Sequence, residues 1–324
     1  MSLVDLIIPT YNGREHLRTC LLAVQKKSAS GVRVVVVDDG STDDTDRMMS
    51  TEFPEFDYLR LPGNQGFAAA CNAGIAAGSA EFVALLNNDA IPEPDWLAGL
   101  LAGMERHPHA AALASKILLA DGSGRIHAAG DTFSWAGLPN SRGVWERDEG
   151  QYDTEESVFS ACAAAALYRR EALNDAGRIN GDPFDADFFM YCEDIDLGWR
   201  LRLLGWDIVY VPTARVKHHL SATGGGALAS YYVARNTFAV LAKNLPDEIQ
   251  SPIWRRFLRH QSRQMLDAIS HAREPAARAR LRGILAGPRF ARQQTAKRQA
   301  IQRSARVTIE KITEQLSLLS QDLS

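Results

Sequence analysis

Short apolar runs rich in β-branched residues alternate with stretches of helical spacing along the first third of the chain. VDLIIP, bounded by Pro9, Asn12 and Gly13, predicts a buried strand, and residues 14–27 predict a helix. VRVVVV at 32–37 predicts a second strand, after which Thr42 or Asp43 is placed to cap a helix over 44–51. DYLRL reads as a third strand, GFAAACNAGIAAG as an Ala-rich helix between Gly66 and Gly78, and EFVALLNND as a fourth strand that Pro92 stops. PEPDWLAGLLAGMERH then reads as a helix with proline in its first turn. This alternation predicts right-handed βαβ units and a mostly parallel sheet covered by helices. Ligands of such sheets bind beyond the carboxyl ends of the strands. There the chain places Thr10-Tyr11-Asn12, Asp38-Asp39-Gly40 and Asn87-Asn88-Asp89.

Beyond about residue 110 the pattern is mixed. Strands are expected at 115–120, 161–168 and 207–212, helices at 193–204 and 228–245, and a mobile Ser/Thr/Gly loop at 221–226. The chain after Pro246 reads as mostly helical, and Ile309, Ile312, Leu316, Leu319 and Leu323 make a 3-4-3-4 spacing too short for a coiled coil.

Charge sharpens the division at 246. The formal net charge of the 324 residues is only −3, but residues 1–246 hold 21 Lys+Arg against 32 Asp+Glu, whereas residues 247–324 hold 15 against 7. An acidic main domain with a basic helical region behind it is expected. The apolar share of 46% and charged share of 23% are those of an ordinary globular protein, with nothing that calls for nucleic acid. Cys20, Cys71, Cys162 and Cys192 form no CxxC or Cys/His zinc pattern and read as reduced, mostly buried thiols of a cytosolic protein. The start, MSLVDLIIPTYN, does not read as a signal peptide, and no apolar run reaches bilayer-spanning length, so any membrane role is expected to be peripheral.

The candidate chemistry sits in five places. Carboxylates in VVDDGSTD can accept hydrogen bonds from a base or ribose, and an Asx-rich turn with a helix cap accounts for them equally well. The Asp that ends LLNND stands where a buried strand can deliver a hard cation ligand, although a turn alone explains it. Asn64-Gln65-Gly66-Phe67 precedes a helix whose N–H groups could meet phosphate or sugar, without matching a dinucleotide fingerprint or a P-loop. In FFMYCEDIDLGWR, Glu193 and Asp194 open a helix, as its dipole favours, while the aromatic residues before them would raise a carboxylate's pKa and make it a better base. Asp196 is expected to be structural. Of His218 and His219 at most one serves a site, because adjacent side chains diverge; Arg235-Asn236 on the later helix could pair with phosphate.

Taken in order, PTYN, VVDDGSTD, NQGFAAACNAG, LLNND and FFMYCEDIDLGWRLRLLGWDIVYVPTARVKHH resemble the family-2 inverting glycosyltransferases, and within them the bacterial rhamnosyltransferase-like branch that builds surface polysaccharides. The resemblance covers roughly residues 3–245. It implies an α/β, GT-A type fold: a catalytic domain over 1–246, with a donor half to about 110 and an acceptor and catalytic half over 111–246, followed by a basic helical region at 247–324. It implies that Pro9, Thr10, Tyr11 and Asp39 line the nucleotide pocket with Asp38 beside it. Asn64 and Gly66 would border the nucleotide sugar, with Asn88 in the motif at 87–89. Asp89 would bind Mg²⁺ or Mn²⁺ with His218, or with His219 in its place, and Asn87 stands where the family's motif has its first Asp. Asp194 would be the base, Glu193 its neighbour, and Arg235 a pyrophosphate contact. The implied donor is a dTDP-, UDP- or GDP-linked sugar, and the acceptor a hydroxyl of a glycan or lipid-linked molecule. The region 121–157, with Trp135 and Trp145, would help form the acceptor side.

Two other functions remain open on the residues. A nucleotidyltransferase that makes nucleotide sugars would need a Gly-rich basic loop after the first strand, and PTYNGREHL is a poor match. A silent nucleotide-sugar or glycan-binding module would not need the retained carboxylates. For residues 247–324, a helical cap or a dimer contact explains the composition better than contact with the inner face of a membrane, though IWRRFLRH has an interfacial mix.

Overall fold

The computed structural model describes residues 2–26, 31–219 and 226–319. Most of the expected loop at 221–226, and Leu323 of the short heptad, lie outside them.

Strands β1 (Val4–Thr10), β2 (Val32–Asp38), β3 (Asp57–Arg60) and β4 (Phe82–Leu86) pair in parallel in the order β4-β1-β2-β3. Helices α1 (Arg14–Gln25), α2 (Thr45–Glu52) and α3 (Phe67–Ala76) connect them. Every residue of β1 and β4 is buried, as expected of strands covered on both faces. The cap of α2 differs from expectation. Asp44, at φ 61°, holds the N-cap position without a side-chain bond, while Asp43 accepts from the Arg14 N–H and the Thr45 hydroxyl.

The chain continues through β5 (Ala90–Pro92), α4 (Trp96–Arg106), β6 (Ala110–Leu119), β7 (Ile126–Ala129), the hairpin β8 (Asp131–Phe133) and β9 (Pro139–Ser141), and β10 (Glu156–Ser157). It then forms β11 (Ala165–Arg169), α5 (Arg170–Asn180), α6 (Glu193–Leu203) and β12 (Asp207–His218). The sheet path is β10-β12-β6-β11-β4-β1-β2-β3, with β11 antiparallel between β4 and β6; β3, β2, β1, β4, β6 and β12 all run the same way.

Two departures from the pattern matter for the site. The strand that Pro92 ends is not β4, which stops at Leu86, but the separate β5 at residues 90–92, antiparallel to β12. And β12 runs on past Pro212 to His218, with its register on β6 broken between Val211 and Arg215. A proline cannot donate to a ladder, and a bulge is where a strand accommodates one.

The C-terminal helices are α7 (Ala227–Asn244), α8 (Asp247–Ser270), α9 (Pro275–Gln293), α10 (Thr295–Ser304) and α11 (Ile309–Leu319). They are not a detached tail. Phe257, Ile284, Phe290, Ile312 and Leu316 share one buried cluster with Trp199 of α6 and Phe238 of α7. Helix α9 lies so close on α7 that a Cβ at Gly287 would run into the Phe238 ring. No helix among the described residues is long and apolar enough to cross a membrane.

Asp196 anchors this junction, as a structural carboxylate. It is fully buried and accepts from Arg200 Nε at 3.0 Å, Lys243 Nζ at 2.9 Å and Asn244 Nδ2 at 2.8 Å. Removing the carboxylate leaves the buried Arg200 without a counter-ion and Lys243 with Asp185 alone. Asp196→Ala is therefore expected to destabilise the fold by about 3–5 kcal/mol, read as a lower urea midpoint; an unchanged midpoint would contradict this role.

Candidate active site

A cavity of about 470 Å³ opens beyond the carboxyl ends of β1, β2 and β4. One wall belongs to the first half of the chain: Pro9, Thr10, Tyr11, Asp39, Asn64, Gly66 and the 87–89 turn. The facing wall holds Asp131, Ser141, residues 162–164, the segment 189–195, and His218.

The first wall is braced from within. Asp39 accepts the backbone N–H groups of Gln65 at 2.7 Å and Gly66 at 2.8 Å, which fixes the 64–66 loop across the cavity edge; burial pushes its carboxyl above the usual range, and these bonds oppose the shift. Asn88 donates to the Thr10 hydroxyl at 2.8 Å, tying the tip of β4 to that of β1. Asp38 is not brought to the cavity. Successive side chains of an extended segment point to opposite faces. Asp38 accordingly turns into the protein, where it is fully buried and accepts from the Ser41 N–H and the Tyr58 hydroxyl.

The antiparallel pairing of β5 with β12 sets Ala90 opposite His218, and so sets Asp89 beside the imidazole. His218 Nε2 lies 2.8 Å from Asp89 Oδ1 and 3.3 Å from Asn87 Nδ2, and its Nδ1 lies 3.0 Å from His127 Nδ1. His219 is turned away: its backbone N–H donates to the Asp89 carbonyl, and its exposed ring pairs with that of His16. Of the two histidines, His218 alone reaches the cavity. Carboxylate oxygen and imidazole nitrogen form a donor set that suits Mg²⁺ or Mn²⁺. The buried Asn87 Oδ1 in the same corner lacks a partner, so the residues present fit a cation. No group of three or more His, Cys, Asp and Glu side chains among the described residues encloses a metal by itself.

The third component is the start of α6. Cys192 is its N-cap, at φ 67° and with no side-chain capping bond. Asp194 accepts the N–H groups of Ile195 at 2.8 Å and Ala163 at 3.2 Å; burial raises its pKa, and these bonds hold the rise in check. Glu193 is more deeply placed, 5% exposed, with Oε2 unpartnered; burial, and then the neighbouring Asp194, push it well above the ordinary carboxyl range. The two carboxyls of the motif are thus in unlike environments, with the backbone-bonded Asp194 better able to carry charge.

Arg235 is not at the cavity either. Its guanidinium donates to the carbonyls of Phe188 at 3.0 Å and Asp187 at 3.2 Å and lies over the Phe290 ring. Neither Trp135 nor Trp145 lines the cavity. The region 121–157 reaches it through His127, Asp131, Pro139, Asn140 and Ser141. Two of these carry titrating groups that the sequence did not single out. Burial, with His218 adding to it, depresses His127 to about 3. Asp131 accepts from the hydroxyls of Ser141 and Ser160, each at 3.0 Å, and burial, with Asp194 adding to it, pushes it up to about 8. Both lie in short strands, β7 and β8, whose sequence has no periodicity to mark their burial.

The family profile described as Glycosyl transferase family 2 matches residues 5–177. The chain belongs to glycosyl transferase family 2. This glycosyltransferase is 32% identical, over 296 residues, to the N-acetylglucosaminyl-diphospho-decaprenol L-rhamnosyltransferase of Mycobacterium tuberculosis (strain CDC 1551 / Oshkosh), an alignment covering 83% of this chain and 92% of the relative. Its fold is that of GT-A glycosyltransferases of known structure. A mannosyltransferase from Pyrobaculum calidifontis in complex with GDP-Man and Mn²⁺ superposes with a TM-score of 0.55 at 17% identity, covering 99% of this chain and 88% of that one. S. aureus TarS 1-349 in complex with UDP-GlcNAc does so with a TM-score of 0.55 at 18% identity, covering 94% and 91%. The transferase therefore shares its fold with these two enzymes.

The Asp131 carboxyl gives this transferase a pH signature. Its folded pKa of about 8 lies above the unfolded value of about 3.9, so the folded state binds the proton more tightly. The stability it contributes is complete below about pH 4 and is lost as pH rises through about 8. Thermal midpoints measured across this window should fall less steeply in Asp131→Asn than in the wild type. Parallel slopes would show that the carboxyl is not held protonated.

Proposed function

We propose that this family-2 transferase moves a sugar, rhamnose in the reading its relative supports, from a nucleoside-diphosphate donor to a hydroxyl of a lipid-linked glycan at the inner face of the bacterial membrane, with inversion at the anomeric carbon. The observation that carries this is that the Asp89–His218 pair and the backbone-bonded Asp194 carboxylate line one and the same cavity.

The nucleotide is bound by Pro9, Thr10, Tyr11 and Asp39, with Asn64, Gly66 and Asn88 at the sugar-diphosphate end. Asp89 and His218 would hold Mg²⁺ or Mn²⁺, and Asn87 Oδ1 adds a neutral oxygen where the motif lacks a first carboxylate. A bound cation there supplies charge stabilisation for the leaving nucleoside diphosphate. Asp194 accepts the proton of the acceptor hydroxyl as that oxygen attacks the anomeric carbon from the face opposite the diphosphate. One displacement inverts the configuration and needs no covalent enzyme intermediate. Burial, and then the neighbouring Asp194, push the Glu193 carboxyl well above its ordinary range, which favours Asp194 as the member of the pair that carries charge.

Diphosphate release from dTDP-rhamnose, UDP-GlcNAc and GDP-mannose, with Mn²⁺ and after chelation, tests the donor and the cation. Release from dTDP-rhamnose that chelation abolishes is expected, and equal release without metal would overturn the cation reading. Asp194→Asn should lower turnover by about 10²–10⁴-fold and leave the Kd of the nucleoside diphosphate close to wild type. Wild-type transfer by that variant would remove Asp194 from the role of base.

Membrane contact is supported by α8, which exposes Leu258, Leu266 and Ile269 beside exposed Arg255, Arg259 and Arg263. Such a face suits an anionic lipid surface. Changing the three arginines together to Glu should weaken co-sedimentation with anionic liposomes, and undiminished binding would exclude this face.

A further inference from the structure

The segment from Asp187 to Cys192, which carries the chain into Glu193 and Asp194, is held by side chains of α7 and of the helices behind it, with Asn236 bonding the most of its carbonyls. Phe189, Tyr191 and Cys192 all have positive φ, of 66°, 66° and 67°. Non-glycine residues avoid this region, and each such conformation persists only where its surroundings impose it. The imposing group is Asn236 of α7, which is fully buried. Its Nδ2 faces the carbonyl oxygens of Phe188 at 3.0 Å, Met190 at 2.9 Å and Tyr191 at 2.7 Å. Its Oδ1 accepts from Arg235 Nε at 2.8 Å, which fixes the amide with its donors toward the segment. The chemistry is specific. An amide nitrogen offers two N–H groups, so three carbonyls share them; a carboxylate would repel all three, and a methyl would take this donor from all three, leaving Phe188 its bonds from Arg235 and the Met190 N–H.

The same segment is tied at its start by the C-terminal helices. Lys297 of α10 bonds Asp185 at 2.7 Å and Asp187 at 2.7 Å, and Gln294, between α9 and α10, donates to Asp187 at 2.9 Å. On its other side the Phe189 carbonyl accepts the Ala68 N–H at 3.2 Å, at the head of the helix that follows the 64–66 loop.

We infer that Asn236, oriented by Arg235 and supported by Lys297, is the positioning residue that sets the base-bearing end of α6 against the donor loop. The motif Arg235-Asn236 thus acts on the reaction without touching the diphosphate, and residues 247–319 serve the catalytic step from behind the site. This rests on Asp194 as the base.

The test uses the full chain carrying Asn236→Ala, Asn236→Asp, Lys297→Met or Lys297→Arg, with Asp194→Asn in parallel. Steady-state transfer is measured with the donor that releases diphosphate, together with binding of dTDP, UDP and GDP in the presence of Mn²⁺ and with thermal midpoints. A misplacement of about 1 Å at a reacting group costs about 10²-fold, so both Asn236 variants should lose kcat on that scale. Nucleotide Kd should change by less than about twofold, with a shifted pH profile of kcat. Lys297→Met, at a half-exposed position, should lose a smaller part of kcat, which Lys297→Arg restores. Variants that keep wild-type kcat below a lowered thermal midpoint would reduce Asn236 and Lys297 to fold stability and overturn the proposal. If Asn236→Ala does not fold, the Lys297 pair decides between these outcomes. A normal rate in Asp194→Asn would instead show that the base is misassigned.

Discussion

The contact between Asp89 and His218 joins the turn that follows β4 to the end of β12. Residues 129 positions apart in sequence are brought to 2.8 Å by a three-residue strand, β5, that runs back along the end of β12. Most of the site depends on that pairing. It holds the 87–89 turn at the cavity, and it sets the imidazole 3.0 Å from His127, which the pairing of β7 with β6 places there. Without it the acidic tip of β4 would face the solvent edge of an open α/β sheet, a place where turn residues ordinarily serve only to reverse the chain. The desolvated, partly unpaired polar groups in this corner are costly for a fold to maintain. They have a use where a charged ligand completes them.

The sequence was most legible where periodicity and covalent rules act locally. The runs around Ile7, Val35 and Leu85 are apolar on both faces and became the central parallel strands. Glu193 and Asp194 stand at a helix start, where first-turn carboxylates belong. Legibility failed where tertiary pairing overrode a local signal. Pro92 ends a strand, as its chemistry suggests, but that strand is the separate edge strand β5, whose partner lies more than a hundred residues away. Ala110–Ala114 has weak strand propensity, yet β12 and β11 flank it and make it a strand. Asp38 and Asp39 are indistinguishable as letters, and the alternation of an extended backbone separates them into a structural carboxylate and a cavity carboxylate. Asp131 and His127 were invisible for a different reason: their burial is created by a hairpin and a sheet edge that no periodic pattern announces.

Residues 247–319 illustrate how composition misleads about attachment. Fifteen basic residues against seven acidic ones after residue 246 suggest an appendage. Many of these charges are solvent-facing, but Lys297 is turned inward onto Asp185 and Asp187, and Arg306 reaches Asp175. The apolar residues between them complete the cluster around Trp199 and Phe238. The charge asymmetry marks which side of each helix faces water; it does not mark where the fold ends.

Gly66 carries a constraint on how such enzymes can be recombined. It sits at φ 93°, with the Phe189 ring and carbonyl occupying the space a Cβ would need. The 64–66 loop and the segment before α6 therefore interlock at one glycine and one phenylalanine more than a hundred residues apart. A chimera that took residues up to about 110 from one transferase and the rest from another would inherit only one side of this joint. Its two surfaces would clash or gape even if each part folded perfectly, so the two parts are not freely exchangeable.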